Sequence, residues 1–126
     1  MEKILVDTNI WIYGVKNSVD IQQLIKKKFG LAGIYTPNVV LKELKQISEK
    51  AEKGTDRKAA RVALQIIRDK KIPEPQLSGF ADSAITKWAV EEKGSVLTND
   101  FELKNKLKKV KVKVYCLRQG KLIKEW

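Results

Sequence analysis

Four carboxylates of this chain occupy positions that surface solubility alone does not explain. The sequence has no histidine and a single cysteine, so oxygen is the donor available for binding a metal ion. That donor favours Mg²⁺, Mn²⁺ or Ca²⁺ over zinc. Two divalent ions held by carboxylates can hydrolyse a phosphodiester, one activating water and the other stabilising the leaving oxygen. The candidate catalytic and metal-binding residues are Asp7, Glu43, Asp82 and Asp100.

Two of these acids follow short apolar runs that predict buried strands. Asp7 comes directly after residues 3–6. Asp100 comes two residues after the run 95–98, with Asn99 between them. If both strands are parallel members of one sheet, both acids lie at its carboxyl edge, where open α/β sheets bind ligands. Helix capping is the alternative for each acid, because Asp is a favoured N-cap and residues 99–102 resemble a capping box.

The other two acids are predicted on helices, beside apolar positions. Asp82 lies in the first turn of a helix over residues 79–93, on the side of its apolar residues. Glu43 lies in a helix that we expect to begin with Thr36 as N-cap and Pro37 in the first helical position. A carboxylate at the edge of a core is destabilising unless it is paired, hydrogen-bonded or metal-bound. A salt bridge with a lysine is therefore the alternative for Glu43.

Strands and helices that could position these acids alternate along the chain. This alternation predicts an α/β fold, a three-layer α/β/α sandwich around a mostly parallel sheet, in a single domain over residues 1–126. We predict strands over residues 3–6, 34–35, 95–98 and 110–114 and within 117–126, and helices over 9–15, 19–29, 36–53, 56–69, 79–93 and 99–107, with a break at Gly54.

The charge of the chain indicates a polyanionic partner. Lysine and arginine number 26 against 15 acids, a formal net charge of +11. Such an excess attracts nucleic acid. A lysine-rich surface of the kind found in hyperthermophile proteins is the alternative, although the acids do not match the lysines in number. The lysines predicted to contact RNA are Lys104, Lys106 and Lys108, which follow the last acid, together with Lys42 and Lys45.

Nothing in the sequence predicts a membrane segment. Apolar runs such as residues 4–6 and 10–13 are far too short to span a bilayer. Asp7 also interrupts the only stretch that could act as a signal peptide. The single cysteine, Cys116, excludes an internal disulfide framework. We therefore expect a cytoplasmic protein with no membrane contact.

In their order and spacing, the segments VDTNIWIY, TPNVVLKEL, ADSAITKWA and VLTND resemble the PIN-domain ribonuclease family over about residues 3–118. This resemblance implies a metal-dependent endoribonuclease that cleaves single-stranded or structured RNA. The family has four acids that bind two Mg²⁺ or Mn²⁺ ions, and by this resemblance they correspond to Asp7, Glu43, Asp82 and Asp100. The resemblance also assigns supporting polar roles to Thr8, Asn9, Thr98 and Asn99.

The family implies two biological settings. One is that of VapC-like toxins in toxin–antitoxin pairs, and the other is ribosomal-RNA processing or RNA quality control. Residues 97–122 look more like the archaeal relatives of the processing proteins. Besides RNA, the resemblance implies a homodimer and a partner that is either an antitoxin or a ribosome-assembly protein.

Two other function classes stay open at this point. A catalytically weak PIN-like module for RNA binding or assembly would typically lack one of the four acids, and all four are present. A phosphohydrolase with Asp7 as nucleophile would usually carry a second acid two residues later, whereas this chain has Asn9 there. Cleavage of RNA without a phosphorylated aspartate would separate the nuclease from the phosphohydrolase.

Overall fold

The first apolar run forms an inner strand of a five-stranded sheet in a computed structural model that describes residues 1–119 and 122–126. The strands lie in the order β2-β1-β3-β4-β5, and all neighbours run parallel except β4 and β5. Their bounds are β1 (Glu2–Val6), β2 (Ala32–Tyr35), β3 (Ser95–Leu97), β4 (Val114–Arg118) and β5 (Leu122–Glu125).

Helices connect the parallel strands, because a parallel pair requires a crossover rather than a tight turn. Two helices join β1 to β2, three join β2 to β3, and one joins β3 to β4. The helices are α1 (Thr8–Lys16), α2 (Ile21–Phe29), α3 (Asn38–Lys50), α4 (Gly54–Asp69), α5 (Ala81–Glu92) and α6 (Phe101–Lys109).

Burial along the inner strands shows that helices cover both faces of the sheet. Ile4, Leu5 and Val6 are consecutive and fully buried. Because successive side chains of a strand point to opposite faces, neither face of β1 meets solvent. The edge strand β5 differs, since only Ile123 is buried there. The predicted three-layer α/β fold around a mostly parallel sheet is confirmed. None of the described helices is both long and apolar enough to cross a bilayer.

The strand predicted over residues 110–114 is wrong. Val110 and Lys111 form a turn after α6, and the backbone N–H of Val112 donates to the carbonyl of Leu107. Val112, just after this turn, packs against the core, so the alternation of valine and lysine comes from a turn rather than from a strand. The strand begins instead at Val114. The strand predicted within 117–126 corresponds to the end of β4 and to β5, and residues 120 and 121 lie outside the described part.

The predicted bounds of the third helix are also wrong at both ends. Thr36 does not cap it: the Thr36 hydroxyl is buried and accepts a hydrogen bond from the Trp11 indole N–H at 3.1 Å. Pro37 occupies the N-cap position and makes no side-chain capping bond. The helix ends at Lys50, and Gly54 begins α4 rather than merely breaking α3. The Thr36 side chain, which local sequence preference assigns to a helix cap, therefore makes a tertiary hydrogen bond to Trp11 instead.

Thr36→Val should lower the free energy of unfolding by about 1–3 kcal/mol, because valine keeps the shape but leaves the buried Trp11 N–H without an acceptor. Urea unfolding followed by tryptophan fluorescence measures the change. Thr55→Val, at an exposed helix position, is the matched control and should stay within about 0.5 kcal/mol of wild type. Equal effects of the two substitutions would show that the hydrogen bond does not stabilise the fold.

Candidate active site

The register of β1 and β3 brings the two strand-end motifs together. Val6 pairs with Leu97, so the next residue of each strand, Asp7 and Thr98, emerges at the same edge of the sheet. The Asp7 backbone N–H donates to the Leu97 carbonyl at 3.0 Å. The Thr98 hydroxyl donates to Oδ2 of Asp7 at 2.7 Å. The ends of the two strands are thus joined through backbone and side chain.

Asp7 is both a helix cap and a member of the site. Its Oδ1 accepts from the backbone N–H of Thr8 at 2.8 Å, as the N-cap of α1. Its Oδ2 accepts from Nδ2 of Asn9 at 3.2 Å in addition to the Thr98 hydroxyl. Asp7 therefore does cap a helix, as the alternative interpretation predicted, and it also lies in the site.

The Asp7 carboxylate is held where its charge is disfavoured. Burial, with a smaller contribution from the nearby charges of Glu43 and Asp100, raises the pKa of Asp7 from an ordinary 3.8 to about 6. Hydrogen bonds from Thr98 and Thr8 oppose the increase by lowering the pKa. A buried anion facing two other anions is stabilised by any cation that enters beside it.

Three of the four polar residues predicted to support the site, namely Asn9, Thr98 and Asn99, form one hydrogen-bonded frame. The Thr98 hydroxyl accepts from the backbone N–H of Asp100 at 3.0 Å. Oδ1 of Asn9 accepts from the backbone N–H of Asn99 at 3.1 Å. Oδ1 of Asn99 in turn accepts from the backbone N–H of Leu117 at 2.9 Å. This frame connects the ends of β1, β3 and β4 and fixes the path of the chain that carries the last acid.

Asp100 divides its two oxygens between structure and site. Its Oδ1 accepts from the backbone N–H groups of Glu102 at 2.8 Å and of Leu103 at 3.1 Å, so it caps α6. The helix therefore begins at Phe101, later than predicted. No hydrogen bond within residues 1–119 and 122–126 reaches Oδ2, which remains available to a ligand.

The two helix acids differ in exposure. Asp82 is half-buried in the first turn of α5, as predicted, and its Oδ2 lies 3.6 Å from Nζ of Lys106. Glu43 is exposed rather than at the edge of the core, because the buried stripe of α3 is formed by residues such as Leu44. The alternative of a salt bridge for Glu43 is not seen among the described residues.

All four predicted acids line one cavity. Its volume is about 750 Å³, and it opens at the carboxyl edge of the sheet beside Thr8 and Asn9. The acids reach it from two strand ends and two separate helices, so the chain assembles the cavity wall from distant segments. The acids in this wall are Asp7, Glu43, Asp56, Asp82 and Asp100.

Sequence reasoning missed the fifth acid and its partner. Asp56 lies in the first turn of α4, and its Oδ1 is 2.7 Å from Nζ of Lys16, which comes from α1 and lines the same cavity. This ion pair lowers the pKa of Asp56. In the sequence, Asp56 looks like an ordinary acid in the first turn of a helix, and no local signal indicates that α1 and α4 meet here.

The donors in this cavity fit a hard divalent cation in type. The Thr8 hydroxyl is buried in the cavity wall and has no hydrogen-bond partner in the described part of the chain, so a water held by a cation would satisfy it. No three of the described carboxylates lie close enough to hold one ion together. The cavity therefore suits an ion that takes one or two carboxylates and keeps several waters, as Mg²⁺ usually does.

The five lysines predicted to bind RNA do not form one surface. Lys106 faces Asp82, whereas Lys104 and Lys108 lie one helical turn apart on a different side of α6. Lys42 and Lys45 line a separate cleft between α3 and α4 that contains none of the four acids. Of these five lysines, Lys106 is the one that the described part of the chain places beside a cavity acid.

A family profile described as a PIN like domain matches residues 4–120, nearly the whole chain. The chain belongs to the PIN-like domain family. Among curated proteins, it is 32% identical over 127 residues to ribonuclease VapC4 of Methanocaldococcus jannaschii, covering 96% of this chain and 94% of the relative. It is 31% identical to ribonuclease VapC9 of Archaeoglobus fulgidus, covering 94% of this chain and 85% of the relative.

Solved structures show the same fold. The PIN domain endonuclease Utp24 superposes with a TM-score of 0.78 at 20% identity, covering 98% of this PIN-like chain and 90% of the other. A domain of a functionally unknown protein from Methanocaldococcus jannaschii superposes with a TM-score of 0.64 at 22% identity, covering 94% and 92%. These similarities confirm the arrangement of strands and helices that builds the cavity.

Asp7→Asn should change stability in a pH-dependent way when divalent ions are absent. Below about pH 4 the wild-type carboxyl is neutral in both folded and unfolded states. Between pH 4 and about 6 it ionises in the unfolded state first, so wild-type stability falls as the pH rises. The pKa of about 6 in the fold corresponds to a loss of about 3 kcal/mol above that pH. The variant does not ionise and escapes this loss.

Unfolding in urea at a series of pH values, with EDTA present, measures the difference between variant and wild type. Asp56→Asn is the control of opposite sign: Lys16 lowers the pKa of Asp56, so wild-type stability rises with pH and this variant falls behind. A difference for Asp7→Asn that does not vary between pH 4 and 7 would contradict the buried, disfavoured charge.

Proposed function

We propose that this PIN-like chain, as a single domain over residues 1–126, is a divalent-metal-dependent endoribonuclease. The observation that carries the proposal is the convergence of four carboxylates, from two strand ends and two helices, on one cavity. The relatives named ribonuclease VapC4 and VapC9 support RNA as the substrate. The net charge of +11 supports a polyanionic substrate independently.

The proposed reaction is hydrolysis of a phosphodiester at the carboxyl edge of the sheet. Two Mg²⁺ or Mn²⁺ ions held by the four acids would supply an activated water and stabilise the leaving oxygen. Asp7 would act as the fixed ligand, because both of its oxygens are already oriented by Thr8, Asn9 and Thr98. Glu43, which is exposed, and the Oδ2 atom of Asp100, which accepts no hydrogen bond in the described part of the chain, would supply further ligands.

Positive charge at the cavity would hold the substrate. Lys16 lines the cavity and is oriented by Asp56, while Lys106 lies beside Asp82. An RNA phosphate approaching five carboxylates is repelled, and these two ammonium groups offset part of that repulsion. RNA binding would therefore depend on these lysines even before an ion is bound.

For the biological setting, we propose the toxin of a toxin–antitoxin pair in the cytoplasm. The names of both curated relatives support this setting over ribosomal-RNA processing. The partner would then be an antitoxin protein rather than a ribosome-assembly factor. Growth arrest on expression of the wild type, absent for a variant that does not cleave RNA, is the expected result. Normal growth with active enzyme in the cell would count against a toxin.

Glu43→Gln should reduce RNA cleavage by at least about a hundredfold, because loss of even an outer partner of a metal site reduces activity 10- to 100-fold. Glu49→Gln is the matched control, since it lies on the same helix, is also exposed and lines a different cleft. It should cleave like wild type. Initial rates on a single-stranded RNA at millimolar Mn²⁺ measure both variants.

A second readout separates metal binding from catalysis. Mn²⁺ should raise the Tm of wild type and of Glu49→Gln, because an ion bound only by the native state stabilises it. The increase should be smaller for Glu43→Gln. If Mn²⁺ leaves the wild-type Tm unchanged and Glu43→Gln cleaves normally, the cavity is not a metal-dependent nuclease site.

Two observations favour a second candidate, a catalytically weak RNA-binding or assembly module. Lys106 lies beside Asp82, and no three described carboxylates are close enough to share an ion. Such a module would bind RNA with the same affinity in EDTA and in Mn²⁺ and would leave it intact. Cleavage that is lost on chelation and restored by Mn²⁺ would exclude this candidate.

The α6 lysines, rather than those on α3, should contact the RNA backbone, because Lys106 lies beside the cavity acid Asp82 whereas Lys42 and Lys45 line a separate cleft. Lys106→Gln with Lys108→Gln should flatten the slope of log affinity against log salt by about 1.4, since each lysine that neutralises a phosphate of a single strand contributes ~0.7 to that slope. Lys42→Gln with Lys45→Gln should leave the slope unchanged. The opposite pattern would place the RNA over the cleft between α3 and α4.

A further inference from the structure

An exposed aromatic ring lies next to the acidic cavity. Phe101 directly follows the cavity acid Asp100 and begins α6, yet 62% of its surface is exposed. Its Cα is therefore only about 3.8 Å from that of Asp100. The buried side of α6 is formed by Leu103 and Leu107, so the helix does not need this ring for its packing. A single exposed apolar side chain is ordinary, so the neighbours of the Phe101 ring decide whether it belongs to a binding surface.

This ring belongs to a compact group of two aromatic and two basic side chains, which we call the aromatic–basic cluster. The Trp126 ring lies 6.4 Å from that of Phe101, at an interplanar angle of 61°. Nζ of Lys104 lies 4.8 Å from the centre of the Phe101 ring and 5.0 Å from that of Trp126. Cζ of Arg118 lies 5.1 Å from the centre of the Trp126 ring.

The two cations of the cluster are not neutralised by acids. Across residues 1–119 and 122–126, no carboxylate lies within ion-pair distance of Lys104 or Arg118. Lys106, on another side of the same helix, does face an acid. The cluster therefore combines flat apolar rings with uncompensated positive charge, which is the combination that binds single-stranded nucleic acid by stacking and by charge.

We propose that the aromatic–basic cluster is a nucleobase-binding subsite for single-stranded RNA. A base stacks on Phe101, while Lys104 and Arg118 contact the phosphates on either side of it. The strand is single because the faces of paired bases are covered by their neighbours in a duplex. The inference rests on the proposed function for its substrate: a base held at Phe101 places the adjoining phosphodiester beside Asp100 and the cavity.

Binding of matched oligonucleotides tests the subsite without requiring cleavage. Oligoadenylate is compared with an abasic oligonucleotide of the same length and charge, in EDTA, so that only the bases differ. Affinity is one readout, and quenching of tryptophan fluorescence is the other. Trp11 and Trp88 are buried, so Trp126 is the tryptophan that a stacked base can approach.

Wild type should bind oligoadenylate roughly five- to hundredfold more tightly than the abasic strand, the range expected for stacking one base on an aromatic side chain. Phe101→Ala should remove most of this preference for oligoadenylate. Phe101→Leu should have the same effect, because a leucine side chain is apolar but has no flat ring on which a base can stack. Phe101→Tyr should retain the preference. Leu31→Ala, which removes an 85% exposed apolar side chain just before β2, at the opposite end of the sheet from the cavity, is the control and should match wild type.

Equal affinity of wild type for the two strands would overturn the subsite, as would an unchanged preference in Phe101→Ala. Equal losses in Phe101→Ala and Leu31→Ala would also overturn it, since general apolar surface would then be responsible. The outcome is independent of the nuclease proposal. Tighter binding of oligoadenylate without cleavage in Mn²⁺ would reject the nuclease and support the subsite. Cleavage without tighter binding of oligoadenylate would support the nuclease and reject the subsite.

Discussion

The hydrogen bond from the Thr98 hydroxyl to the Asp7 carboxylate joins the two strand-end motifs of the candidate site. It depends on the register in which Val6 of β1 pairs with Leu97 of β3. A slip of one residue would turn each side chain to the other face of the sheet and separate the two motifs. The same hydroxyl also accepts from the backbone of Asp100, so one threonine positions both strand-end acids.

Much of this arrangement could be predicted from sequence because it follows from the geometry of parallel sheets. An acid directly after a buried run can only emerge at the carboxyl edge, and this rule is sufficient to place Asp7 and Asp100. Asp82 could be placed as well, because helical periodicity defines the side on which a first-turn residue lies. Glu43 lies in the expected cavity but in a more exposed position than its apolar neighbours indicated.

What the sequence did not reveal depends on contacts between distant segments. Thr36 has the local properties of a helix cap, yet a tryptophan 25 residues away takes its hydroxyl. Asp56 and Lys16 meet only because α1 packs against α4. Phe101 and Trp126 come together across a helix and a strand. Local preferences describe one segment at a time, so they contain no information about such partners.

Because Asp7 and Asp100 each cap a helix, the four acids are not equally free to change during evolution. Replacing either aspartate by alanine removes a carboxylate from the cavity and also weakens the start of α1 or α6, typically by about 1 kcal/mol. Glu43 and Asp82 cap no helix. In descendants that keep the fold without the chemistry, Glu43 and Asp82 should therefore change freely, whereas Asp7 and Asp100 should be exchanged only for other capping side chains such as Asn or Ser. For Asp7 this exchange also removes a buried charge. A capping residue at a strand end would persist for architectural reasons, so its presence alone would not identify an active enzyme.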